Sequence, residues 1–276
     1  MRIIDAQIHI WSSGTPSVDH RPVPVVTHAE MLAAMDEAGV DAAIIHPPGW
    51  DPNAATVAAI AQRAHPGRFA ILGQFPPERP ESRALIDTWL DQPGMLGMRW
   101  APLHPAARAL LDSGAMDWIW PAAERAGIPV ALLAGPFLPK FRTIAERHPG
   151  LKLIIDHVGL LRLQRDAAAF ANLETLLALA HLPNVAIKAT GAPGYSTQPY
   201  PFPNLHDGLH RIFDAFGPNR FFWGTDITRM PCTYRQCITL FTERLPWLHG
   251  NDLELVMGNA IANWLNWHPP AARTAP

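Results

Sequence analysis

Short apolar runs alternate with segments of helical periodicity along the whole chain. The runs are continuous rather than alternating, which is typical of parallel strands that are covered on both faces. We predict eight such strands, at 2–7, 41–46, 69–75, 95–99, 129–134, 152–157, 185–189 and 220–226. Helices are predicted between them, at 27–39, 54–64, 81–91, 116–126, 138–147, 166–181, 206–215 and 231–244, with a last one near 253–266.

Eight strand–helix units fill the 276 residues. Strands that alternate with helices favour a parallel sheet with right-handed crossovers. Eight units in this length predict the α/β class and a (β/α)8 TIM barrel. No shift in composition marks a second domain, so we predict a single domain over 1–276. The first helix carries its own boundary signals, because Thr27 and Glu30 form a capping box and Gly39 can end the helix.

Composition and charge argue against several classes of protein. The chain is 48% hydrophobic and 17% charged, so it can bury a large core. Lys and Arg total 22 against 24 Asp and Glu, without a basic stripe, so we expect neither nucleic acid nor a membrane surface as a partner. The first residues are typical of a strand rather than a signal peptide, and Cys232 and Cys237 are expected to be reduced. We therefore expect a cytoplasmic protein.

Polar side chains mark the C-terminal ends of the predicted strands. In a barrel these ends converge on the face that carries the active site. The residues concerned are Gln7, His9, His46, Gln74, Arg99, His157, Lys188, Thr225 and Asp226. We expect a small-molecule substrate as the partner of this face.

The first and last strands carry the strongest candidates. Gln7 and His9 are two residues apart on one strand, so their side chains share a face. A core or capping histidine is the alternative for His9. Asp226 ends the last strand, where a buried carboxylate without partners would be costly. It is the best candidate for a general base or a ligand, and a carboxylate that only accepts backbone hydrogen bonds is its alternative.

The candidates on the middle strands each have a structural alternative. Asp156 and His157 are neighbours that should face opposite ways. An inward His157 therefore predicts that Asp156 faces the helical shell, where it would form a structural salt bridge or cap. Arg99 needs an anionic partner, which is either a structural carboxylate or a substrate carboxylate. Lys188 either reaches the barrel mouth or pairs with a neighbouring acid.

The connection after the first strand is longer than most barrel loops. It runs from Ser12 to Val26, and we predict either a lid over the mouth or a passive surface excursion. Trp11 and Trp50 each follow a strand end closely. They are expected either to wall an apolar pocket or to pack under loops.

The motifs together resemble a known family. In chain order they are Asp-x-Gln-x-His-x-Trp at 5–11, Arg99, Asp-His-x-Gly at 156–159 and Trp-Gly-Thr-Asp at 223–226. This order resembles the amidohydrolase superfamily, and within it the amidohydrolase-related (amidohydrolase 2) group of sugar lactonases, pyrone-dicarboxylate lactonase, sulfomuconolactone hydrolase and nonoxidative decarboxylases. The resemblance covers residues 2 to about 266. It implies a TIM-barrel hydrolase of a carboxylic ester, with a homodimer as a frequent assembly.

The resemblance also implies a set of metal ligands. Members use a strand-one His-x-His pair, a strand-five histidine or lysine, a strand-six histidine and a strand-eight aspartate, and here His9, His157 and Asp226 match. Gln7 stands in place of the first histidine, and strand five ends at 132–134 without a ligand. We therefore expect no two-metal site. Hydrolysis without a metal cofactor is the favoured prediction, and one divalent ion (Zn or Mn) held by His9, His157 and Asp226 is the alternative.

The predicted reaction is the addition of water to an activated carbonyl, with ring opening of a carboxylated or sugar-derived lactone. Asp226 would act as the general base, and His9, His157 and Gln7 would hydrogen-bond the developing oxyanion. A lactone ester is reactive enough for such a site without a metal, whereas an unactivated amide is much harder to hydrolyse.

Cationic side chains would bind the substrate in this reading. Arg99 would hold a substrate carboxylate, with Lys188 and Arg229 as helpers and Trp11 and Trp50 as walls. One alternative is a metal-dependent nonoxidative decarboxylase of the same group. Another is a barrel that has lost catalysis and serves only for binding.

Overall fold

The computed structural model describes residues 1–79, 81–267 and 269–270. It contains one eight-stranded sheet, in which each strand pairs in parallel with the next along the chain. The strands are β1 Ile4–Ile8, β2 Ala42–Ile45, β3 Phe69–Gln74, β4 Met95–Trp100, β5 Val130–Leu132, β6 Leu153–Ile155, β7 Val185–Ala189 and β8 Phe221–Trp223. All eight predicted strands are confirmed, and the fold is a (β/α)8 TIM barrel.

Helices lie between the strands. They are α1 His28–Ala38, α2 Ala54–Ala64, α3 Ser82–Leu85, α4 Pro105–Asp112, α5 Ile119–Arg125, α6 Leu138–Arg147, α7 Leu173–Leu177, α8 His206–Phe216, α9 Tyr234–Glu243, α10 Gly250–Glu254 and α11 Ala260–Trp264. The capping box of α1 is confirmed, and Gly39 ends that helix with φ 84°. No described helix has the length and apolar character needed to cross a membrane.

Several helix predictions differ from the structure. The helix predicted at 81–91 is α3 followed by a 3-10 helix at Ile86–Asp91, and the one near 253–266 is divided by a π-helical segment at Leu255–Asn259. The segment predicted as a helix at 166–181 forms a 3-10 helix at Asp166–Phe170 and the short α7. Asn172 lies at the break between them, and its side chain donates to the carbonyls of Gly135 and Gly159 at 3.0 and 2.9 Å. Helix α4 was not predicted, although Pro105 at its first position is a recognised start signal.

The interior of the barrel is apolar below the mouth. Side chains that include Ile4, Ile44, Ile154 and Phe222 fill it, and α11 packs against β1 and β8. A second and larger core lies between the strands and the surrounding helices. Polar groups are therefore concentrated at the C-terminal ends of the strands.

A buried carboxylate ties β8 to β1. Asp5 is fully buried and accepts hydrogen bonds from the Thr225 amide (2.8 Å), the Thr225 hydroxyl (2.5 Å) and the Tyr234 hydroxyl (2.7 Å). A Cβ atom on Gly224 would lie only 2.8 Å from the backbone nitrogen of Ala6, so the two strand ends approach as closely as glycine allows. This contact places the residue after Thr225 beside the end of β1.

The pH dependence of stability provides a test of this contact. Burial raises the pKa of Asp5 to about 6, although its hydrogen bonds lower it. Because the folded state then binds the proton more tightly than the unfolded chain, the contribution of Asp5 to stability is lost as pH rises through 6. We expect the stability of wild type relative to Asp5→Asn to fall by roughly 1 kcal/mol between pH 5 and pH 7.

Urea unfolding of both proteins across this pH range measures the change. Asp112→Asn, at an exposed position of α4, is the matched control and should show a constant difference from wild type. A constant difference for Asp5→Asn as well would contradict the raised pKa.

Candidate active site

Buried polar side chains meet at the C-terminal mouth of the barrel. Gln7 lies on β1 and His9 just beyond it, His157 follows β6, Lys188 lies on β7 and Asp226 follows β8. Each is at most 3% exposed. The structure therefore brings together the residues that the sequence predicted for this face. Two other polar residues at predicted strand ends take no part, because the side chain of Gln74 is exposed and that of Thr225 is bound to Asp5.

Backbone turns after β6 and β8 direct two of these side chains into the mouth. His157 and Val158 have φ values of 53° and 57°, and Asp226 has φ 54°. Residues other than glycine adopt this left-handed region at a cost of about 1–3 kcal/mol each, and such residues cluster at functional sites. The strands stop at Ile155 and Trp223, so His157 and Asp226 are not strand residues as the sequence predicted.

The predicted orientation of Asp156, toward the helical shell, is wrong because of the same turn. Asp156 does not face the helical shell. It is fully buried at the mouth, with its carboxylate 2.6 Å from the Lys188 ammonium and 2.7 Å from Nε of Arg99. Strand alternation ends at Ile155, so Asp156 and His157 both contribute to the site.

The cluster of Asp156, Lys188 and Arg99 is charged at neutral pH. Burial raises the pKa of Asp156, but Lys188 and Arg99 lower it further, so that it lies well below its usual range. Burial lowers the pKa of Lys188 to about 8, and Asp156 opposes that shift. Arg99 has the structural carboxylate that the sequence offered as one alternative, because its Nε donates to Asp156. Its two terminal nitrogens form no hydrogen bond with any described residue and remain available to an anion.

Gln7 connects this charged cluster to the two histidines. Its Oε1 accepts a hydrogen bond from the Lys188 ammonium at 2.9 Å. Its amide nitrogen therefore faces His9 and His157, at 3.4 and 3.3 Å from their Nε2 atoms. Because an amide nitrogen can only donate, both Nε2 atoms are acceptors.

Other contacts fix the same tautomer for both histidines. Nδ1 of His9 lies 2.6 Å from the carbonyl oxygen of His46, which can only accept, so the proton of His9 is on Nδ1. Nε2 of His157 also accepts from Arg229 at 3.3 Å, and its Nδ1 lies 3.0 Å from the Thr190 hydroxyl. Burial lowers the pKa of His9 to about 3, and burial and Arg229 place the pKa of His157 well below its usual value. Both rings are neutral at pH 7.

Asp226 offers an ionised oxygen to the centre of the mouth. Burial raises its pKa, but His9, His20 and Arg229 lower it, and the net direction is downward. Its Oδ2 lies 3.4 Å from Arg229, while Oδ1 is 3.5 Å from Nε2 of His9. Oδ1 is buried and accepts no hydrogen bond from any described residue. Two acceptor atoms thus face each other across a space suited to a proton donor or a cation.

The sequence reasoning missed His20. This residue lies on the 12–26 loop with its ring centre 5.1 Å from that of His9, and its Nδ1 lies 2.8 Å from the Thr228 hydroxyl. Ligand atoms of His9, His20 and Asp226 all lie within 4.8 Å of one another. This set differs from the predicted one, because His20 takes the place of His157. Its only sequence signal was a histidine in an unusually long loop after a catalytic strand.

The 12–26 loop contacts the far side of the mouth. The Arg21 amide donates to the Thr228 carbonyl at 2.9 Å, and Asp19 pairs with Arg162 at 2.7 Å. These contacts reach the connections that follow β8 and β6. The loop therefore lies across the mouth, in contact with the connections after β6 and β8.

The two tryptophans have different surroundings. Trp11 is fully buried beneath the loop and donates to the Val23 carbonyl at 3.1 Å. Trp50 is half-buried, with its ring centre 4.8 Å from His20 and 5.9 Å from His9. Trp11 thus packs under the loop, and Trp50 walls the histidines.

Two cavities open near the mouth. The smaller, of about 240 Å³, is lined in part by Asp19, Tyr195 and Arg229, and Arg229 also contacts Asp226. The larger, of about 460 Å³, is lined mainly by apolar side chains of the connections after β4, β5 and β6, together with Arg162. The smaller cavity therefore borders the polar centre, and the larger one lies to its side.

Comparison with known proteins identifies the family. The model of the amidohydrolase family (amidohydrolase 2) matches residues 4–271. The chain belongs to this family. This membership supports an enzyme, either a hydrolase or a related lyase. A search of curated proteins finds no match.

Solved structures of similar fold are distant in sequence. An amidohydrolase from Burkholderia multivorans with bound zinc has a TM-score of 0.82 at 19% identity, over 97% of this chain and 100% of that one. A probable 2-pyrone-4,6-dicarboxylic acid hydrolase from Acinetobacter baumannii has a TM-score of 0.76 at 16% identity, over 97% and 100%. A 5-carboxyvanillate decarboxylase from Sphingomonas paucimobilis has a TM-score of 0.67 at 17% identity, over 97% and 99%. At these identities the likeness is one of fold.

Proposed function

We propose that this amidohydrolase opens the ring of a lactone that carries a carboxylate. The observation that best supports this proposal is the buried, ionised carboxylate of Asp226, whose Oδ1 accepts no hydrogen bond from the described residues. Such an oxygen is ready to take a proton from water. The relatives named for pyrone-dicarboxylic acid hydrolysis support this choice of substrate class.

The reaction begins with proton transfer from water to Asp226. The water oxygen forms a bond to the lactone carbonyl carbon, and the carbonyl oxygen becomes an oxyanion. When this intermediate collapses, the ring C–O bond breaks and Asp226 returns the proton to the leaving alkoxide. The products are a hydroxyl group and a carboxylic acid on one open chain, and the acid releases its proton to solvent to become a carboxylate.

The hydrogen-bond donors for the oxyanion differ from those expected from the sequence. His9 and His157 present acceptor atoms to the mouth, and the amide nitrogen of Gln7 already donates to them. Arg229 has its Nη1 3.4 Å from Asp226 and lines the smaller cavity, so it is the cation that stabilises the oxyanion. The role of Gln7, His9 and His157 is then to hold one another in place around Asp226 through their hydrogen bonds.

Arg99 binds the carboxylate of the substrate in this account. Its Nε is held by Asp156, which orients the guanidinium, and its terminal nitrogens are free to form a bidentate pair. The neighbouring Lys188 contributes positive charge but is fully buried, so it acts through Asp156 and Gln7 rather than by contact. A divalent cation at His9, His20 and Asp226, when bound, would supply an acidified water.

A substrate panel tests the proposal. Purified protein is assayed with carboxylated lactones, with the same rings lacking the carboxylate, and with aromatic carboxylic acids. We expect proton release and a ring-opened acid from the carboxylated lactones, and a preference for them that Arg99→Gln removes. Carbon dioxide release from the aromatic acids without any lactone opening would instead establish the decarboxylase and overturn the lactonase.

A further inference from the structure

We propose that Cys232 and Cys237 form a peroxide-sensitive modification site, at which hydrogen peroxide converts the two thiols into a reversible disulfide bond. Cys232 is the thiol that reacts with the oxidant, and Cys237 is the thiol that closes the bond. Both are free cysteines in the structure. The chain has two cysteines in all, so a disulfide within one molecule must join this pair. The proposal is independent of the reaction at the mouth of the barrel.

The side chains of the two cysteines are in contact. Their Sγ atoms lie 3.5 Å apart. A disulfide bond is about 2.0 Å long, so closure needs a further approach of about 1.5 Å. Cys232 directly precedes the N-cap residue Thr233, and Cys237 is the fourth residue of α9. Side chains at these two positions meet in the arrangement known as the hydrophobic staple. The sulfur atoms can therefore meet because Cys232 lies outside the helix.

The two thiols differ in access and in acidity. Cys232 is half-buried between the exposed residues Pro231 and Thr233, whereas Cys237 is 2% exposed. The hydrogen bond with Cys237 lowers the pKa of Cys232, although burial opposes that shift. The same hydrogen bond and burial raise the pKa of Cys237 well above its usual value. Because the accessible thiolate is the reactive form of cysteine, Cys232 is the first thiol to react.

The chemistry has two steps and uses one molecule of hydrogen peroxide. The Cys232 thiolate attacks a peroxide oxygen, so that an S–O bond forms, the O–O bond breaks and the hydroxide that leaves takes a proton from solvent. Cys232 is then a sulfenic acid. The Cys237 sulfur attacks the Cys232 sulfur, the S–S bond forms, the S–O bond breaks, and hydroxide leaves with the Cys237 proton as water. Two electrons have passed from the thiols to the peroxide, and a thiol reductant returns them.

The disulfide would join α9 to the connection that follows β8. That connection carries Asp226 and Arg229, and Cys232 lies at its end. The ring closed by the bond contains the capping box of α9, in which the Gln236 amide donates to the Thr233 hydroxyl at 3.1 Å. The folded chain thus already holds the segment between the two sulfur atoms in one conformation. The fold should therefore favour the disulfide, relative to the unfolded chain.

Treatment of the intact chain with hydrogen peroxide tests the site without any substrate. Native protein is exposed to equimolar peroxide, alkylated in urea and analysed by mass spectrometry. We expect neither cysteine to be alkylated, the mass of the chain to fall by two hydrogen atoms, and dithiothreitol to restore both thiols. Two alkylated cysteines, or oxygen added to a cysteine in place of the disulfide, would overturn the proposal.

Two alanine variants separate the roles of the thiols. In Cys237→Ala the remaining Cys232 should still react with peroxide, and dimedone should trap it as the sulfenic acid. In Cys232→Ala the buried Cys237 should react at least about tenfold more slowly. Circular dichroism confirms that both variants are folded. Equal reaction rates in the two variants, or a faster rate in Cys232→Ala, would show that Cys232 is not the peroxide-reactive thiol.

Equilibration with glutathione shows whether the fold itself favours the bond. The disulfide fraction of wild type is measured over a range of glutathione redox ratios, in native buffer and in urea. We expect the equilibrium constant for disulfide formation to be at least about tenfold higher in the folded chain, because the contact between the two thiols is absent from the unfolded chain. An equal or lower constant in the folded chain would show that the pair is only an apolar staple, and the proposal would be wrong.

Discussion

Replacing Asp226 by asparagine is expected to lower kcat/KM for a carboxylated lactone by about a thousandfold, because the general base is lost. The backbone should tolerate the change. Asparagine adopts the left-handed conformation as readily as aspartate, and the 2.8 Å hydrogen bond from the residue 226 amide to the Gln7 carbonyl does not involve the side chain. Steady-state rates of acid production, with and without chelator, measure the loss.

The control for this variant is Asp112→Asn, which removes one carboxylate from an exposed position of α4. It should keep the full rate. Thermal unfolding of both variants separates a catalytic loss from a loss of folded protein. If Asp226→Asn keeps a rate within tenfold of wild type while it is folded, Asp226 is not the base.

Replacing Lys188 by methionine is expected to destabilise the fold by about 3–5 kcal/mol, since it leaves buried charge without its partner. Lys188 is fully buried, and its ammonium lies 2.6 Å from Asp156 and 2.9 Å from Gln7. Without it, Asp156 keeps only Arg99, and Oε1 of Gln7 loses its donor. Urea unfolding at pH 7 measures the change.

The same replacement in an Asp156→Asn background should cost about 2 kcal/mol less, because the carboxylate that would lose one of its two cationic partners is then absent. Lys140→Met, in the surface helix α6, is the control and should change stability little. Equal costs of Lys188→Met in the two backgrounds would show that the ion pair with Asp156 is not the reason for the loss.

The periodicity of the sequence predicted the barrel because every strand is covered on both faces. Continuous apolar runs then indicate buried parallel strands. Turn residues such as Gly39 indicate where the helices end. The helix prediction at 166–181 was wrong because a tertiary contact decides it. Asn172 bonds to carbonyls that lie 37 and 13 residues away along the chain, which periodicity does not encode.

The site was predictable where side chains stay on strands. Gln7 and Lys188 lie on β1 and β7 and point into the mouth, as alternation requires. Asp156 was assigned to the wrong side because the strand ends one residue before it. The left-handed turn falls on His157 and Val158, neither of which is a glycine, so no residue type in the sequence signals it.

Which side chains donate and which accept hydrogen bonds at the mouth could not be predicted from the sequence. Whether His9 donates or accepts depends on the carbonyl of His46, which β2 brings to within 2.6 Å. His20 was missed for a related reason. A 15-residue connection has no period that would place one side chain, and only its contact with Thr228 shows that it faces the centre.

The central claim is that water adds to a lactone carbonyl at Asp226. Hydrolysis in water enriched in oxygen-18, followed by mass spectrometry of the product, tests it most directly. The account predicts a single label in the new carboxylate of a ring-opened carboxylated lactone, and about a thousandfold slower formation of that product by Asp226→Asn. A label in the product hydroxyl group, or carbon dioxide release without lactone opening, would contradict it.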